Sequence, residues 1–358
     1  YYDVVITNSD GQKGTLERGF AITVGGETPK IEHTEDGPVP FTGEQPIVAG
    51  GGFFIHDETF RGGFFSTADD LTGDSRAEIV VGTGEGFGPQ VKVFDADGNV
   101  LASFFAYATH LRSGVRVTIG DVDGNGTKEI ITSPGPGGRP HIRIFNYDGT
   151  LYHPGFFALD GLFQGGAFVA AGDVNRDGKD EIVVTAGPGG GAQVTVHNSI
   201  GTILANFFAY DQNTFRKGIK PITLDFDNDG RFEILTGPVT GPPHIQMFSI
   251  QPNLIERLNP GFYAFDPSYQ GGVSLAGGDI DGDGKDEIIV GVGAGADPIV
   301  RVFNKTATEI LREYLVYGET FQSGVNISAG DVDADGRDEI LVLPRGDGGP
   351  NLRIIDAD

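Results

Sequence analysis

The sequence predicts an all-β fold, a six-bladed β-propeller of four-stranded antiparallel blades, and three observations lead to it. First, a nine-residue acidic loop recurs at intervals of 51 to 54 residues, which is typical of a repeat architecture. Second, each copy contains four segments with strand-like patterns, and such units close radially into a propeller. Third, the last copy lacks its fourth segment, and a matching segment precedes the first copy. The six loops begin at Asp70, Asp121, Asp173, Asp225, Asp279 and Asp331.

Residues 1–45 precede the repeats and carry a different pattern. Segments 2–7 and 20–24, in residues 1–24, are rich in Val, Ile and Thr and predict strands, with an Asn-Ser-Asp-Gly turn after the first. Residues 25–45 carry paired glycines and several prolines and predict a linker. The chain begins Tyr-Tyr-Asp, as we expect of a mature or trimmed protein. The propeller is expected to occupy residues 46–358.

The copy that begins at Asp121 illustrates one blade. An alternating segment at 115–119 precedes the acidic loop, and the apolar segment 129–132 follows it. A Gly/Pro stretch leads to the alternating segment 141–145, which an Asp-Gly turn connects to a fourth segment ending in two phenylalanines. The fourth segment missing from the last copy appears at 46–54, so the front of the chain is expected to complete the sixth blade and close the ring.

The loop that begins at Asp279 has the donor set of a calcium site. Carboxylates alternate at Asp279, Asp281 and Asp283, a glycine follows, and Glu287 stands at position nine. Calcium binds six to eight oxygens, and the backbone carbonyl of Lys285 would add to those that the acids supply. An EF-hand has its closing glutamate at position twelve, between helices, so this is a different calcium loop.

All six copies keep glutamate at position nine, and we expect up to six Ca²⁺ ions with a structural role. Each ion would join the first strand of a blade to its second and neutralise carboxylates that repel one another. The first copy is expected to be the weakest, because Thr72 replaces the second aspartate and Ser75 replaces the glycine. The candidate ligands are Asp70, Asp74, Glu78, Asp121, Asp123, Asn125, Thr127, Glu129, Asp173, Asn175, Asp177, Lys179, Glu181, Asp225, Asp227, Asp229, Arg231, Glu233, Asp279, Asp281, Asp283, Lys285, Glu287, Asp331, Asp333, Asp335, Arg337 and Glu339.

The composition limits the classes of function that the protein can have. A net charge of −25 disfavours binding to nucleic acid and to anionic membranes. No apolar run approaches the length of a membrane span, so no membrane insertion is expected. The absence of cysteine excludes disulfides but leaves the compartment open. Calcium loops of modest affinity are useful where Ca²⁺ is plentiful, so we expect a secreted bacterial protein in an extracellular or cell-surface location.

Residues 46–358 resemble the FG-GAP/VCBS-type propeller repeats, which are related to the calcium-bearing blades of integrin α subunits. The resemblance rests on the Asp-x-Asp-x-Asp-Gly loops, the Glu-Ile strand that follows them, and Gly/Pro stretches such as 186–190. It implies calcium binding in the loops. Integrin-like members have seven blades, whereas six are predicted here. Residues 1–24 resemble the closing strands of an immunoglobulin-like IPT/TIG domain, either a truncated domain or strands that dock on a neighbouring molecule.

Three further patterns have a structural interpretation. The acidic run 95–99 lacks an acid at position nine and predicts a plain turn. Pairs of aromatic residues, such as Phe104-Phe105, recur at one repeat position and are expected to pack between blades, although sugar-stacking platforms are the alternative. His141 and His244 share a repeat position that varies among copies, which indicates a surface position that could face a ligand.

We expect a non-enzymatic structural or adhesion protein of the bacterial surface, because no catalytic spacing is present and the copies repeat evenly. Its expected partners are other copies of itself, surface proteins or glycans. A head-to-tail fibre could form if residues 1–24 dock on the next subunit. The alternatives are a calcium-dependent, carbohydrate-binding propeller and the non-catalytic propeller of a larger polysaccharide-active enzyme.

Overall fold

The computed structural model describes residues 4–7, 13–16, 52–252, 254–258, 261–318 and 320–356. The chain divides into two compact units, Tyr1–Gln45 and Pro46–Asp358. In the first unit, β1 (Val4–Thr7) pairs antiparallel with β2 (Lys13–Leu16). The predicted strand at 20–24 and the predicted linker lie outside the described residues, and the IPT/TIG resemblance stays a prediction.

The second unit is a six-bladed β-propeller, which confirms the predicted fold class. Blade 1 contains β3 (Phe64–Asp69), β4 (Glu78–Thr83), β5 (Gln90–Phe94) and β6 (Val100–Phe105). Blade 2 contains β7 (Val115–Gly120), β8 (Glu129–Pro134), β9 (His141–Phe145) and β10 (Leu151–Phe157). Blade 3 contains β11 (Ala167–Gly172), β12 (Glu181–Ala186), β13 (Gln193–His197) and β14 (Ile203–Phe208).

The other three blades follow in chain order with small departures. Blade 4 contains β15 (Ile219–Leu224), β16 (Glu233–Pro238), β17 (His244–Gln251), and two outer strands that both pair with β17, β18 (Leu254–Arg257) and β19 (Phe262–Tyr263). Blade 5 contains β20 (Val273–Gly278), β21 (Glu287–Val292), β22 (Ile299–Phe303) and β23 (Ile310–Leu315). Blade 6 contains β24 (Val325–Gly330), β25 (Glu339–Pro344) and β26 (Arg353–Ile355).

The front of the propeller segment supplies the outer edge of blade 6. Phe54 forms an antiparallel bridge with Asn351, and the amide of Leu352 donates to the carbonyl of Phe53 at 3.0 Å. The first strands of neighbouring blades contact one another all round the ring, including β24 with β3. The predicted ring closure is therefore confirmed for the described part of segment 46–54.

The core lies between blades, where buried aliphatic side chains of the second and third strands meet those of the neighbouring blade. The first residue of each aromatic pair packs there: the Phe104 ring lies 4.9 Å from that of Phe145 in the next blade, centroid to centroid. The second residue is different, because about half of its surface is exposed. The expectation that both residues pack between blades is therefore wrong for Phe54, Phe105, Phe157, Phe208 and Tyr263.

Every regular element of the described residues is a β-strand. Accordingly, this part of the chain has no helix with the length and hydrophobicity needed to cross a membrane.

Candidate metal centres

Each acidic loop connects the innermost strand of a blade to its second strand and has one conserved backbone shape across the six copies. In the loop that begins at Asp279, Oδ1 of that residue accepts from the amides of Gly282 and Asp283 at 2.8 and 3.0 Å. Its Oδ2 accepts from the amide of Gly284 at 2.8 Å. The first aspartate thus orders the loop from within, and its equivalents make the same kind of contact. These are Asp70, Asp121, Asp173, Asp225 and Asp331.

Positions four and six of the loops lie in the left-handed region of backbone conformation. Gly282 and Gly284 have φ of 76° and 81°. The first loop curls in the same way without glycine at position six, since Ser75 has φ of 71°. The predicted weakness of this site therefore depends on Thr72, whose hydroxyl donates to the closing Glu78 at 3.3 Å instead of adding a charge. A left-handed serine costs about 1 to 2 kcal/mol relative to glycine.

The glutamate at position nine is buried in all six copies, although it faces several other carboxylates. In four copies Oε2 accepts the amide of loop position two, as Glu339 does from Val332 at 2.8 Å. Oε2 of Glu181 and of Glu233 is buried without a hydrogen-bond partner. A buried carboxylate oxygen without a donor is costly, and a cation beside these two atoms would remove that cost.

Burial is the largest cause that raises the pKa of these glutamates. Repulsion from the carboxylates of the loop aspartates raises it further. The pKa of Glu181 and of Glu233 is raised to about 8. In three other copies the pKa is raised to about 7, and that of Glu78 is also raised. The three are Glu129, Glu287 and Glu339. A divalent cation among these oxygens would favour the ionised form and lower the pKa of the glutamates.

Three loops bring carboxylate oxygens from three predicted ligands within 4.8 Å of one another. The groups are Asp225, Asp227 and Asp229; Asp279, Asp281 and Glu287; and Asp331, Asp333 and Glu339. These loops have donor sets that fit a hard cation such as Ca²⁺, which prefers oxygen ligands.

Other predicted ligands have different contacts. The amide nitrogen of Asn175 donates to Oε1 of Glu181 at 2.6 Å. The hydroxyl of Tyr152 donates to Asp123 at 2.8 Å. Position seven was predicted to donate its carbonyl. Its backbone amide is bonded to the side chain at position five in all six copies, as Lys285 is to Asp283 at 2.9 Å. The carbonyl roles stay predictions.

Sequence reasoning missed the residue at position eight, which links neighbouring loops. Oδ2 of Asp180 in blade 3 accepts the amide of Asp121 in blade 2 at 2.8 Å, and the amide of Asp180 donates back to the carbonyl of Asp121 at 2.9 Å. Asp338 contacts Asp279 in the same way. Burial raises the pKa of Asp338 to about 7. The signal in the sequence was an extra aspartate before the closing glutamate in three of the six copies.

Two remaining predictions are confirmed. The run 95–99 forms a plain turn, in which the amide of Asp95 donates to the carbonyl of Asn99 at 3.0 Å and the side chain of Asp95 accepts the amide of Asn99 at 2.8 Å. His141 and His244 are half-buried at the surface. The first stacks on the exposed Phe157 with ring centroids 4.7 Å apart.

Comparison with known proteins identifies the repeats. Residues 121–184 match the model of the FG-GAP-like repeat, and residues 271–302 match that of the FG-GAP repeat. Cartilage acidic protein 1 of Xenopus tropicalis is 30% identical over 155 residues, which cover 40% of this chain and 23% of that protein. The chain therefore matches less than a quarter of that relative's length.

Among solved structures, rhamnogalacturonan lyase YesW is similar with a TM-score of 0.42 and 14% identity, over 87% of this chain and 74% of the lyase. A rhamnogalacturonan lyase of Bacillus licheniformis has a TM-score of 0.44 and 14% identity over the same shares.

Proposed function

Because the chain is a six-bladed β-propeller of FG-GAP type, we propose that it is a calcium-stabilised, non-catalytic protein of the bacterial exterior, where the propeller acts as a structural or adhesive unit. One observation carries the proposal: a glutamate is buried at the end of every acidic loop, and two of these side chains have an oxygen without a donor. Six buried acids at one repeat position are costly unless cations neutralise them.

The ion expected in these loops is calcium. The donors are carboxylate, amide and carbonyl oxygens in a flexible nine-residue turn, and calcium accepts such irregular oxygen shells more readily than magnesium does. Extracellular modules bind calcium with dissociation constants on the order of 10⁻⁴ to 10⁻³ M, which suits the exterior of a cell.

The ion would stabilise the ring as well as its own blade. Each loop joins the first two strands of one blade, and the contacts between positions eight and one tie loops of neighbouring blades together. Neutralising one loop therefore removes repulsion at two blades. We expect the propeller to gain stability cooperatively as calcium fills the loops.

Calorimetry tests this proposal. At calcium concentrations of about ten times the dissociation constant, each occupied site adds about 1.4 kcal/mol, so the melting temperature should rise well above its value in EDTA. Magnesium at equal concentration is the control and should have a much smaller effect. Equal melting temperatures in calcium and in EDTA would contradict the proposal.

The non-catalytic part of the proposal is supported by the connections between strands. In blades 1 to 3 the second strand is followed by connections of six residues, 84–89, 135–140 and 187–192, each of the same Gly-rich type. Connections this short add no insertion at these three blades from which a substrate cleft could be built. A non-catalytic propeller within a larger polysaccharide-active enzyme fits the same observation.

Carbohydrate binding is the second candidate, and the exposed aromatic residues favour it. Phe157 and Tyr263 present about half of their surface and are backed by stacked His141 and His244, with ring centroids 4.7 Å apart in each pair. Rings held in this way suit the apolar faces of sugars. Glycan-array binding that is lost on Phe157→Ala but kept on Leu162→Ala would support this function, and an array without hits would exclude it.

Self-association through residues 1–24 is a further part of the proposal. The two-stranded hairpin β1–β2 is the described part of that segment, and an isolated hairpin is marginally stable in water. Addition to a sheet of another copy would complete it. Sizing of the whole chain beside a variant that lacks residues 1–24 tests this, and a monomer in both cases would contradict it.

A further inference from the structure

The innermost strands of the six blades line a central cavity of about 420 Å³. Each of these strands is six residues long, so its second residue lies about 13 Å from its end, where the acidic loop begins. The second residues of all six strands therefore form a ring near the mouth opposite the acidic loops. The ring consists of Phe65, Arg116, Phe168, Lys220, Ser274 and Asn326.

Two members of this ring are buried cations. Arg116 is 3% exposed and Lys220 is 7% exposed. The guanidinium of Arg116 lies over the ring of Phe168, with Cζ 3.6 Å from the centroid, and donates to the carbonyl of Ala167 at 2.8 Å. Its Nε is buried without a hydrogen-bond partner. One donor of a fully desolvated guanidinium is thus left over inside the cavity.

Lys220 has a neutral partner rather than an acid. Its Nζ donates to Oδ1 of Asn326 across the cavity at 2.7 Å, and Nδ2 of Asn326 donates to the carbonyl of Phe64 at 2.6 Å. In the described residues, no carboxylate forms a salt bridge with Lys220. The ammonium ion is therefore held in the cavity without a counter-charge.

A third cation closes the mouth. Arg345 follows β25 in blade 6 and reaches across the opening, where its guanidinium donates to the carbonyls of Val239 in blade 4 at 3.1 Å and Gly271 before blade 5 at 3.5 Å. One acid stands nearby: Oε1 of Glu85 is 3.9 Å from Nη2 of Arg116, and its side chain is 59% exposed. Among the described residues, this is the one carboxylate that forms a salt bridge with any of the three cations.

The pKa shifts of the three basic side chains agree with a positive charge that no carboxylate of the described residues neutralises in the cavity. Burial, followed by the repulsion of Arg345 and Arg116, lowers the pKa of Lys220 well below its ordinary value. Burial lowers the pKa of Arg116 to about 9 and also lowers that of Arg345. Each shift reports chiefly the cost of burying a cation, to which mutual repulsion adds for Lys220 and Arg116.

We propose that Arg116, Lys220 and Arg345, which we call the basic mouth, bind a small oxyanion: a carboxylate or sulfate group, free or at the end of an acidic ligand. A guanidinium can pair bidentately with two oxygens of a carboxylate or a sulfate group. An anion here would accept a hydrogen bond from the unused Nε of Arg116 and favour the charged form of Lys220. The site is separate from the calcium loops, which lie at the other end of the innermost strands.

Two measurements on the intact chain test the basic mouth. Selenate serves as the probe, because its anomalous scattering reveals its position in a soaked crystal and it also represents sulfate. Calorimetric titration with sodium selenate, and separately with sodium acetate, at constant ionic strength gives the affinity. We expect one anomalous peak between the three cations and saturable binding of at least one of the two anions.

Two substitutions are expected to change the affinity for the anion in opposite directions. Lys220→Met removes one charged donor and should weaken binding about 10- to 100-fold. Glu85→Gln removes the competing acid from an exposed position and should tighten binding a few-fold without affecting the fold. Arg139→Met, which removes an exposed cation outside the cavity, is the matched control and should change nothing.

If Lys220→Met fails to fold, the Glu85→Gln measurement decides the question, because that side chain is mostly solvated. The proposal is overturned if no selenate peak lies in the cavity, or if Glu85→Gln leaves the affinity for the probe unchanged. Weakening by Arg139→Met equal to that by Lys220→Met would likewise assign the binding to general surface charge.

Discussion

Substitution of Glu233 by glutamine should stabilise the calcium-free protein and weaken its response to calcium. Burial and the neighbouring loop aspartates raise the pKa of this carboxyl from 4.5 to about 8 in the folded state. Below pH 4.5 the carboxyl is neutral in both states. As the pH rises from 4.5 toward the folded pKa, the unfolded chain releases its proton while the folded carboxyl keeps it, and stability is lost. Glutamine cannot ionise, so the variant avoids this loss.

The size of the effect follows from the difference between the unfolded-state pKa of 4.5 and the pH at which stability is measured. Near pH 7, at about 1.4 kcal/mol per pH unit, the loss is roughly 3 kcal/mol for a fully buried group. Solvent around the exposed Asp227 and Asp229 screens the repulsion, so we expect a gain of roughly 2 kcal/mol for Glu233→Gln in EDTA. The gain should disappear near pH 4.5.

Urea unfolding of both proteins, in EDTA and in millimolar calcium at several pH values, measures this gain. In calcium the order should reverse, because the variant lacks one ligand of the loop. Asp97→Asn, in the plain turn of blade 1, is the control for the loss of one exposed acid and should have no effect in either buffer. A variant that is less stable than the parent in EDTA at every pH, or that calcium stabilises equally, would refute the reasoning.

Two further predictions concern the contacts between blades. Tyr107→Phe removes the hydroxyl that donates to the carbonyls of Thr132 and His141 in blade 2, at 3.0 and 2.6 Å, and should lower the free energy of unfolding by about 1 to 3 kcal/mol. Tyr147→Phe at an exposed position is the control, and an equal loss there would contradict the prediction. Gly98→Ala places a Cβ 2.8 Å from the ring of Phe53 at φ of 84°, whereas Gly137→Ala has the same left-handed strain, φ of 87°, with nothing within 4 Å. In thermal unfolding Gly98→Ala should therefore be the more destabilising, by about 1 to 3 kcal/mol, and equal effects would show that Phe53 does not fill the space at that turn.

The fold could be predicted from the sequence because local, repeated patterns encode it. The spacing of the acidic loops determined the number of blades, and the alternation of apolar residues determined the strands, as in β9 (His141–Phe145). The segment before blade 1 was recognisable as the missing strand of blade 6 since it repeats the fourth segment of a copy. Each of these signals lies within about fifty residues, where strand pairing and turn chemistry act.

The aromatic pairs show where local pattern fails. Phe104 and Phe105 are adjacent and equally apolar, but successive residues of a strand face opposite sides, so one packs on the next blade and the other faces solvent. Which side is covered depends on the neighbouring blade. Position eight is a similar case, because Asp180 finds the amide of Asp121 only when two blades stand side by side.

The sequence by itself determined the six repeated units, their strand order and the acid at the end of every loop. The tertiary structure alone decided which charges meet at the axis, where Lys220 reaches Asn326 from 106 positions away in the chain. Those two residues occupy the same position of different copies, and that position carries five different side chains among the six copies. Closing the ring brings equivalent positions face to face, and no periodic signal records which side chains will then share one cavity.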